Sequence, residues 1–284
     1  MLDREERYIS TISGRIIAYI LLAVGALVSL MPLYWLILTS LRPAGAEFTY
    51  PPEWIPSSFH PENYTTAWNR APFWLFTFNS VLVTFLATFG TILTASMAAY
   101  AFARIPFYGR NVWFALTLST MMLPWAVTLI PRFLLFKYLG LFDSLWPLFL
   151  PFWFGGGAFY IFLIRQFIMT LPVEMEEAAV VDGASRLRIY LMITMPLTKP
   201  AVAAVGVFSF IHHWNDFMSP LIFTNREETR TLALGLRYFG DEQFTEFRLI
   251  MAVATLMLVP VLVVFFAANK YFVSGVALSG LAGR

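Results

Sequence analysis

An all-α integral membrane protein with six transmembrane helices is the fold class this sequence predicts, and three observations predict it. Hydrophobic residues make up 59% of the 284 and charged residues 13%, about half the charged share of an ordinary soluble domain. Mean hydropathy is +0.69, which would leave a water-exposed fold with large apolar patches. Six apolar stretches approach the ~20 residues that a helix needs to cross ~30 Å of hydrocarbon. Membrane lipid is therefore the expected surrounding. A net charge of +2 is too small to point to nucleic acid. Cysteine is absent, which removes disulfides, thiolate nucleophiles and cysteine-ligated metals.

The six spans are expected at about 16–40, 74–103, 112–131, 146–165, 201–224 and 249–268. The first is too long for a cleaved signal and runs through Met31-Pro32-Leu33-Tyr34-Trp35-Leu36 with no small-residue cleavage pattern. Pro147, Pro151 and Gly155-Gly156-Gly157 interrupt the fourth, so a broken helix is expected there. Eleven of the 19 Lys and Arg fall on the inner side if the N-terminus is cytoplasmic: Arg4, Arg7, Arg15, Arg104, Arg110, Arg165, Arg186, Arg188, Lys199, Lys270 and Arg284. Charges next to span ends weigh most, so both termini are expected inside. Outer segments are then 41–73, rich in proline, a turn near 133–145 and a polar loop near 225–247. The whole of 1–284 reads as one transmembrane domain with a cytoplasmic N-terminus at about 1–15, an inner loop at about 166–199 and a cytoplasmic tail at about 269–284. Gly, Ala and Ser in Ser274 to Arg284 suit a flexible tail.

The inner loop from Leu171 to Pro200 is the least generic part. Pro172 suits a first helical turn, and Glu174, Glu176 and Glu177 meet the positive end of a helix dipole. Gly183 after Asp182 suits a left-handed helix stop. Met175, Ala178, Ala179 and Asp182 would share one face, with Glu176, Glu177, Val180 and Val181 round the other side. A two-turn helix is marginal alone in water, so a covering partner protein is expected.

The series Glu177-Ala178-Ala179, Asp182-Gly183-Ala184, Tyr190, Ile193 and Met195-Pro196 resembles the cytoplasmic loop of the permeases of ATP-binding-cassette importers. Tyr190 and Met195 replace the usual Phe and Leu. Pro32-Leu33-Tyr34-Trp35 with Thr39-Ser40-Leu41, Asn79-Ser80, Trp214-Asn215-Asp216-Phe217 with Pro220-Leu221, Thr231-Leu232 and Tyr271-Phe272-Val273 extend the likeness to the maltose-type, carbohydrate-uptake branch. That resemblance implies a type I importer fold in a prokaryotic inner membrane. It implies a coupling helix at about Glu174 to Ala184 seated in a cytoplasmic ATPase, with Glu177 and Gly183 its most sensitive positions. The partners it implies are a second homologous permease, two copies of a nucleotide-binding ATPase that hold ATP and Mg, and an extracytoplasmic sugar-binding protein. The imported solute would be a carbohydrate, with a sugar phosphate or glycerol phosphate the alternative.

The sequence agrees that energy comes from elsewhere, because it has no G-x-x-x-x-G-K-[ST] phosphate loop. No catalytic residue, metal-ligand spacing or chain-bound cofactor is expected. Adjacent His212 and His213 would diverge by ~100° on a helix and suit structural roles. Paired discontinuous helices of a secondary transporter are not evident, nor are converging acid and base groups of a membrane enzyme. For the substrate pathway, Asp216 ranks first, since it would lie about sixteen residues into the fifth span, where a charge normally faces a cavity or partner. Asn215, His213, Asn79 and Trp214 could join it as hydrogen-bonding groups and an aromatic platform. A helix bend against Pro220 explains Trp214-Asn215-Asp216 equally well. Arg132, after Pro131, lines a cavity or snorkels to the interface.

Overall fold

The structure is a computed structural model describing residues 12–240 and 245–281, with side chains placed over 14–240 and 245–269. In order, its helices are α1 (Ile12–Ser40), α2 (Glu62–Asn69), α3 (Phe73–Arg104), α4 (Arg110–Ser119), α5 (Trp125–Tyr138), α6 (Trp146–Phe149), α7 (Ala158–Thr170), α8 (Glu174–Val181), α9 (Arg186–Ile189), α10 (Met195–Leu197), α11 (Lys199–Trp214), α12 (Met218–Phe223), α13 (Leu232–Gly235) and α14 (Phe247–Leu281). Arg4, Arg7 and Arg284, used above for orientation, lie outside the described residues, as does the side chain of Lys270.

Four stretches are long and apolar enough to cross a membrane unaided: Gly14–Ser40, Phe73–Arg104, Trp146–Thr170 and Phe247–Asn269. Two helix pairs pass only together: Arg110–Met122 with Trp125–Tyr138, bent by 97°, and Arg186–Leu197 with Lys199–Trp214, bent by 78°. Counting each pair as one span gives six, so the all-α membrane class holds. The third span is not the straight helix expected over 112–131. A 3₁₀ turn at Thr120–Met122 and an extended Leu123 (ψ 119°) precede Pro124, which disfavours helical backbone in the residue before it. The fifth span ends at Trp214 rather than 224, because the Asn215 amide bonds back to the Ile211 carbonyl and the Asp216 carboxylate takes the Ser219 N–H. Short polar side chains of this kind compete with the helix for its own backbone. The fourth span breaks where Gly155-Gly156-Gly157 predicts. At Gly156 (φ 53°) a Cβ would come within 2.6 Å of the Ala95 amide nitrogen, so the break is also a close backbone crossing that excludes any side chain. The last helix runs to Leu281, further than the flexible tail expected from 274; Ala and Leu interleave its glycines and favour helix.

The chain divides into two compact units, residues 1–71 with 236–258, and 72–235 with 259–284. In the first, Asn63 donates to the Ser40 and Arg42 carbonyls (2.9 and 2.8 Å) and accepts from Arg248 (2.7 Å). Buried Arg42 lies over the Trp35 ring and bonds the carbonyls of Ala46, Glu47 and Glu53.

The second unit is organised on α3. Its buried stripe includes Ala87, Gly90, Ala95 and Ala99, small residues that let neighbouring helices approach closely where lipid offers no hydrophobic drive. Toward its Arg104 end Ala95, Ala99 and Tyr100 pack with Ile161, Ile164 and Ile168 of α7, Tyr190, and Val205 of α11. Toward its Phe73 end Val83 packs with Phe136, Leu148 and Phe223.

Candidate functional site

The helix expected over Glu174 to Ala184 is α8, Glu174–Val181. Glu174, Glu176 and Glu177 occupy its first turn, where carboxylates oppose the helix dipole. Its end is a Schellman motif: the Gly183 N–H bonds the Val180 carbonyl (3.0 Å) and the Ala184 N–H bonds the Ala179 carbonyl (2.9 Å). Gly183 holds φ 79°, yet a Cβ there would meet nothing within 4 Å. Glycine is needed for the backbone turn, and the space beside it is left open.

Glu174, Glu177, Ala178, Asp182 and Gly183 are exposed, while Ala179 and Ala184 are partly buried. Val173, Met175, Val180, Val181 and Leu187 add exposed apolar area, with Val181 87% exposed. A short helix with this much apolar surface gains its stability from something that covers it. Glu176 faces the other way. It is the buried residue of α8, its carboxylate 3.1 Å from the Arg104 guanidinium and accepting from the Thr194 hydroxyl (3.0 Å).

The residues proposed for a pathway do not form one cluster. Asn79 is buried, and its amide donates to the Glu228 and Arg230 carbonyls (2.8 and 2.9 Å), fastening α3 to the loop after α12. Trp214 is buried and stacked on Phe210 at 5.7 Å, lining an apolar groove of ≈ 350 Å³ with Phe85, Phe89 and Val263, which is no polar sugar platform. His213 is buried against the Phe152 ring (4.3 Å), and its Nε2 has no hydrogen bond among the described residues. Asn215 is exposed. Asp216 sits in the break between α11 and α12, not mid-helix, and caps α12 through Ser219. Arg132 lies over the Phe223 ring at 5.7 Å and feels the Asp216 charge from beyond ion-pair distance.

Two sites carry no local signal in the sequence. Arg104 reads only as a basic span end. Asp143, in the turn after α5, is a left-handed residue (φ 59°). Its carboxylate accepts the Asn225 and Arg226 N–H groups (2.8 and 3.0 Å) and the Arg226 Nε (3.0 Å), while Arg226 also bonds its carbonyl (2.7 Å). Those two backbone donors, followed by the Arg226 charge, hold the Asp143 carboxyl below its ordinary range. No group of three or more His, Cys, Asp or Glu able to hold a metal occurs among the described residues.

The chain as a whole resembles known proteins. The pattern of the family described as binding-protein-dependent transport system inner membrane component matches residues 90–278. The chain is 34% identical to the probable ABC transporter permease protein YurM of Bacillus subtilis, over 89% of this chain and 83% of that one. It is also 34% identical to the sn-glycerol-3-phosphate transport system permease protein UgpE of Salmonella typhimurium, over 92% and 95%. A solved bacterial ABC transporter involved in import of the acidic polysaccharide alginate superposes with a TM-score of 0.77 at 25% identity, over 92% of this chain and 98% of that one.

Proposed function

The chain belongs to the family of binding-protein-dependent transport system inner membrane components, and from that premise we propose that it is one of two homologous permease subunits moving a carbohydrate inward by alternating access. Two copies of a cytoplasmic ATPase, holding ATP and Mg, supply the energy, and an extracytoplasmic binding protein delivers the solute. Residues 1–284 act as one transmembrane domain with both termini in the cytoplasm. α8 is the coupling helix. Glu174, Glu177, Ala178, Ala179, Asp182, Gly183 and Ala184 meet the ATPase, and Glu176 fastens the helix to the membrane body.

The observation that carries this reading is the pairing of an open face at Gly183 and Val181 with a back anchored through Glu176. A merely solvated loop helix needs neither an exposed apolar rim nor a buried carboxylate. Among the pathway candidates, Arg132 and Asp216 keep a solute-facing role as opposite charges near the break at Trp214-Asn215-Asp216, with His213 nearby in sequence. Asn79 and Trp214 are better explained by packing.

The importer of an acidic polysaccharide that this fold matches favours a carbohydrate. A phosphorylated solute is the second reading, favoured by the likeness to a permease named for sn-glycerol-3-phosphate. It would need more cationic groups along the pathway than Arg132 alone.

Purifying the chain from its native membrane in mild detergent, with and without Gly183→Pro, tests the reading. Proline cannot adopt φ 79° and removes the N–H that bonds Val180. Co-purification of an ATPase and a second permease, weakened in the variant, is expected. A chain that purifies alone and still moves solute would contradict it.

A further inference from the structure

We propose that Arg104 is a positioning residue: its buried pair with Glu176 ties the coupling helix to α3, so that movement of α8 reaches the central span. The proposal rests on the importer reading and adds the route by which movement leaves the helix. α8 has a covalent link to α7 through Leu171-Pro172-Val173 but none to α3, the helix around which the second unit packs. Glu176 is the buried residue of α8, so the most deeply buried contact of that helix is made by a carboxylate.

Arg104 is the last residue of α3. Its side chain is 8% exposed and that of Glu176 7%. The guanidinium also donates through one Nη to the Ile168 and Leu171 carbonyls (2.9 and 2.7 Å), at the negative end of α7. One planar group therefore joins the ends of α3 and α7 to α8. Thr194 bonds the same carboxylate oxygen from the turn that leads into α11. The Arg104 Nε lies 3.1 Å from the carboxylate without hydrogen-bond alignment, so the tie to α8 is ionic while the Nη donors hold α7. Apolar contacts can slide by fractions of an ångström, whereas a buried ion pair is either made or broken at high cost. Such a two-state contact suits the transmission of a discrete movement.

The cysteine-free chain allows a direct test. Trp74, 67% exposed at the far end of α3, is replaced by cysteine and labelled with bimane. The complex with its co-purifying ATPase and second permease is then reconstituted, and fluorescence is compared with and without ATP and vanadate. The second sample carries Arg104→Met with Glu176→Met, which removes both charges at similar volume and avoids a lone buried ion. Assembly and ATP hydrolysis are expected to persist while the nucleotide-dependent shift falls about tenfold, a usual size for coupling between sites. A full-sized shift in the double variant overturns the proposal and leaves the importer reading standing. An unsubstituted chain that brings down no ATPase overturns both. If the double variant does not assemble, Glu176→Gln decides: a shift reduced about threefold or more, from loss of the ionic attraction, supports the tie, and an undiminished one overturns it.

Discussion

Near each end of α3 lies a pair of arginine and carboxylate, Arg104–Glu176 on the helix itself and Arg226–Asp143 in the loop that Asn79 of α3 grips, and the two differ in kind. Toward the Phe73 end Asp143 and Arg226 stand partly in water, at 22% and 64% side-chain exposure, and an exposed ion pair by itself contributes ~0–1 kcal/mol. That clamp relies on backbone N–H groups of Asn225 and Arg226 and on the two bonds from Asn79 to the same loop. At the Arg104 end the pair is nearly dry and has few alternatives. Its attraction is largely offset by desolvation, so it adds little net stability while it is intact and costs heavily once half of it is lost. The first arrangement holds a loop still. The second suits a contact on which force is exerted.

The largest expected effect probes that difference directly. Arg104→Ala leaves Glu176 buried without a counter-ion, and the purified protein should lose about 3–5 kcal/mol of stability, read as a large fall in thermal midpoint in detergent. Arg226→Ala, at the exposed clamp, should lower it far less; equal losses would erase the distinction. Asn79→Ala comes next, with about 1–3 kcal/mol lost because two carbonyls forfeit their donor. It should raise hydrogen exchange in 228–232 while leaving the coupling loop unchanged. Gly183→Ala is smaller, about 1–2 kcal/mol for a side chain forced into a left-handed conformation, and should fray α8 without a clash, visible as faster exchange at Gly183 and Ala184 positions.

The smallest effect concerns pH. The folded-state pKa of Asp143 is depressed, so its contribution is fully present above the unfolded value of about 4 and is lost as pH falls through the lower folded value. Protection of the loop at 224–231, taken as exchange relative to the intrinsic amide rate, should therefore fall on acidification below about pH 4. Asp143→Asn should flatten that dependence. An unaltered profile in the variant would assign it to another group.

How much of this was legible in the sequence follows the range of the forces involved. α8 was readable almost to the residue, because its start and stop rest on local chemistry: three glutamates in a first turn and a glycine in a left-handed cap. The break in the fourth span was readable from its prolines and glycines. The bend at Pro124 was hidden by apolar residues on both sides, which continue the hydropathy signal through a break in hydrogen bonding. Asp216 stands out in the sequence as a charge in an apolar run, yet its carboxylate caps α12, an interaction decided three residues away at Ser219. Glu176 could not be ranked above Glu177, since their difference lies in Arg104, far away in sequence. Asp143 was silent for the same reason.

In the proposed importer, the exposed face of α8 docks on a separate ATPase. Val181→Cys, on a chain without other cysteines and at the most exposed apolar position of that helix, can carry a photoactivated crosslinker in native membranes. Crosslinking to a nucleotide-binding subunit, identified by mass spectrometry and altered by ATP with vanadate, is the result expected. Crosslinks confined to lipid, or to another part of this chain, would contradict the account.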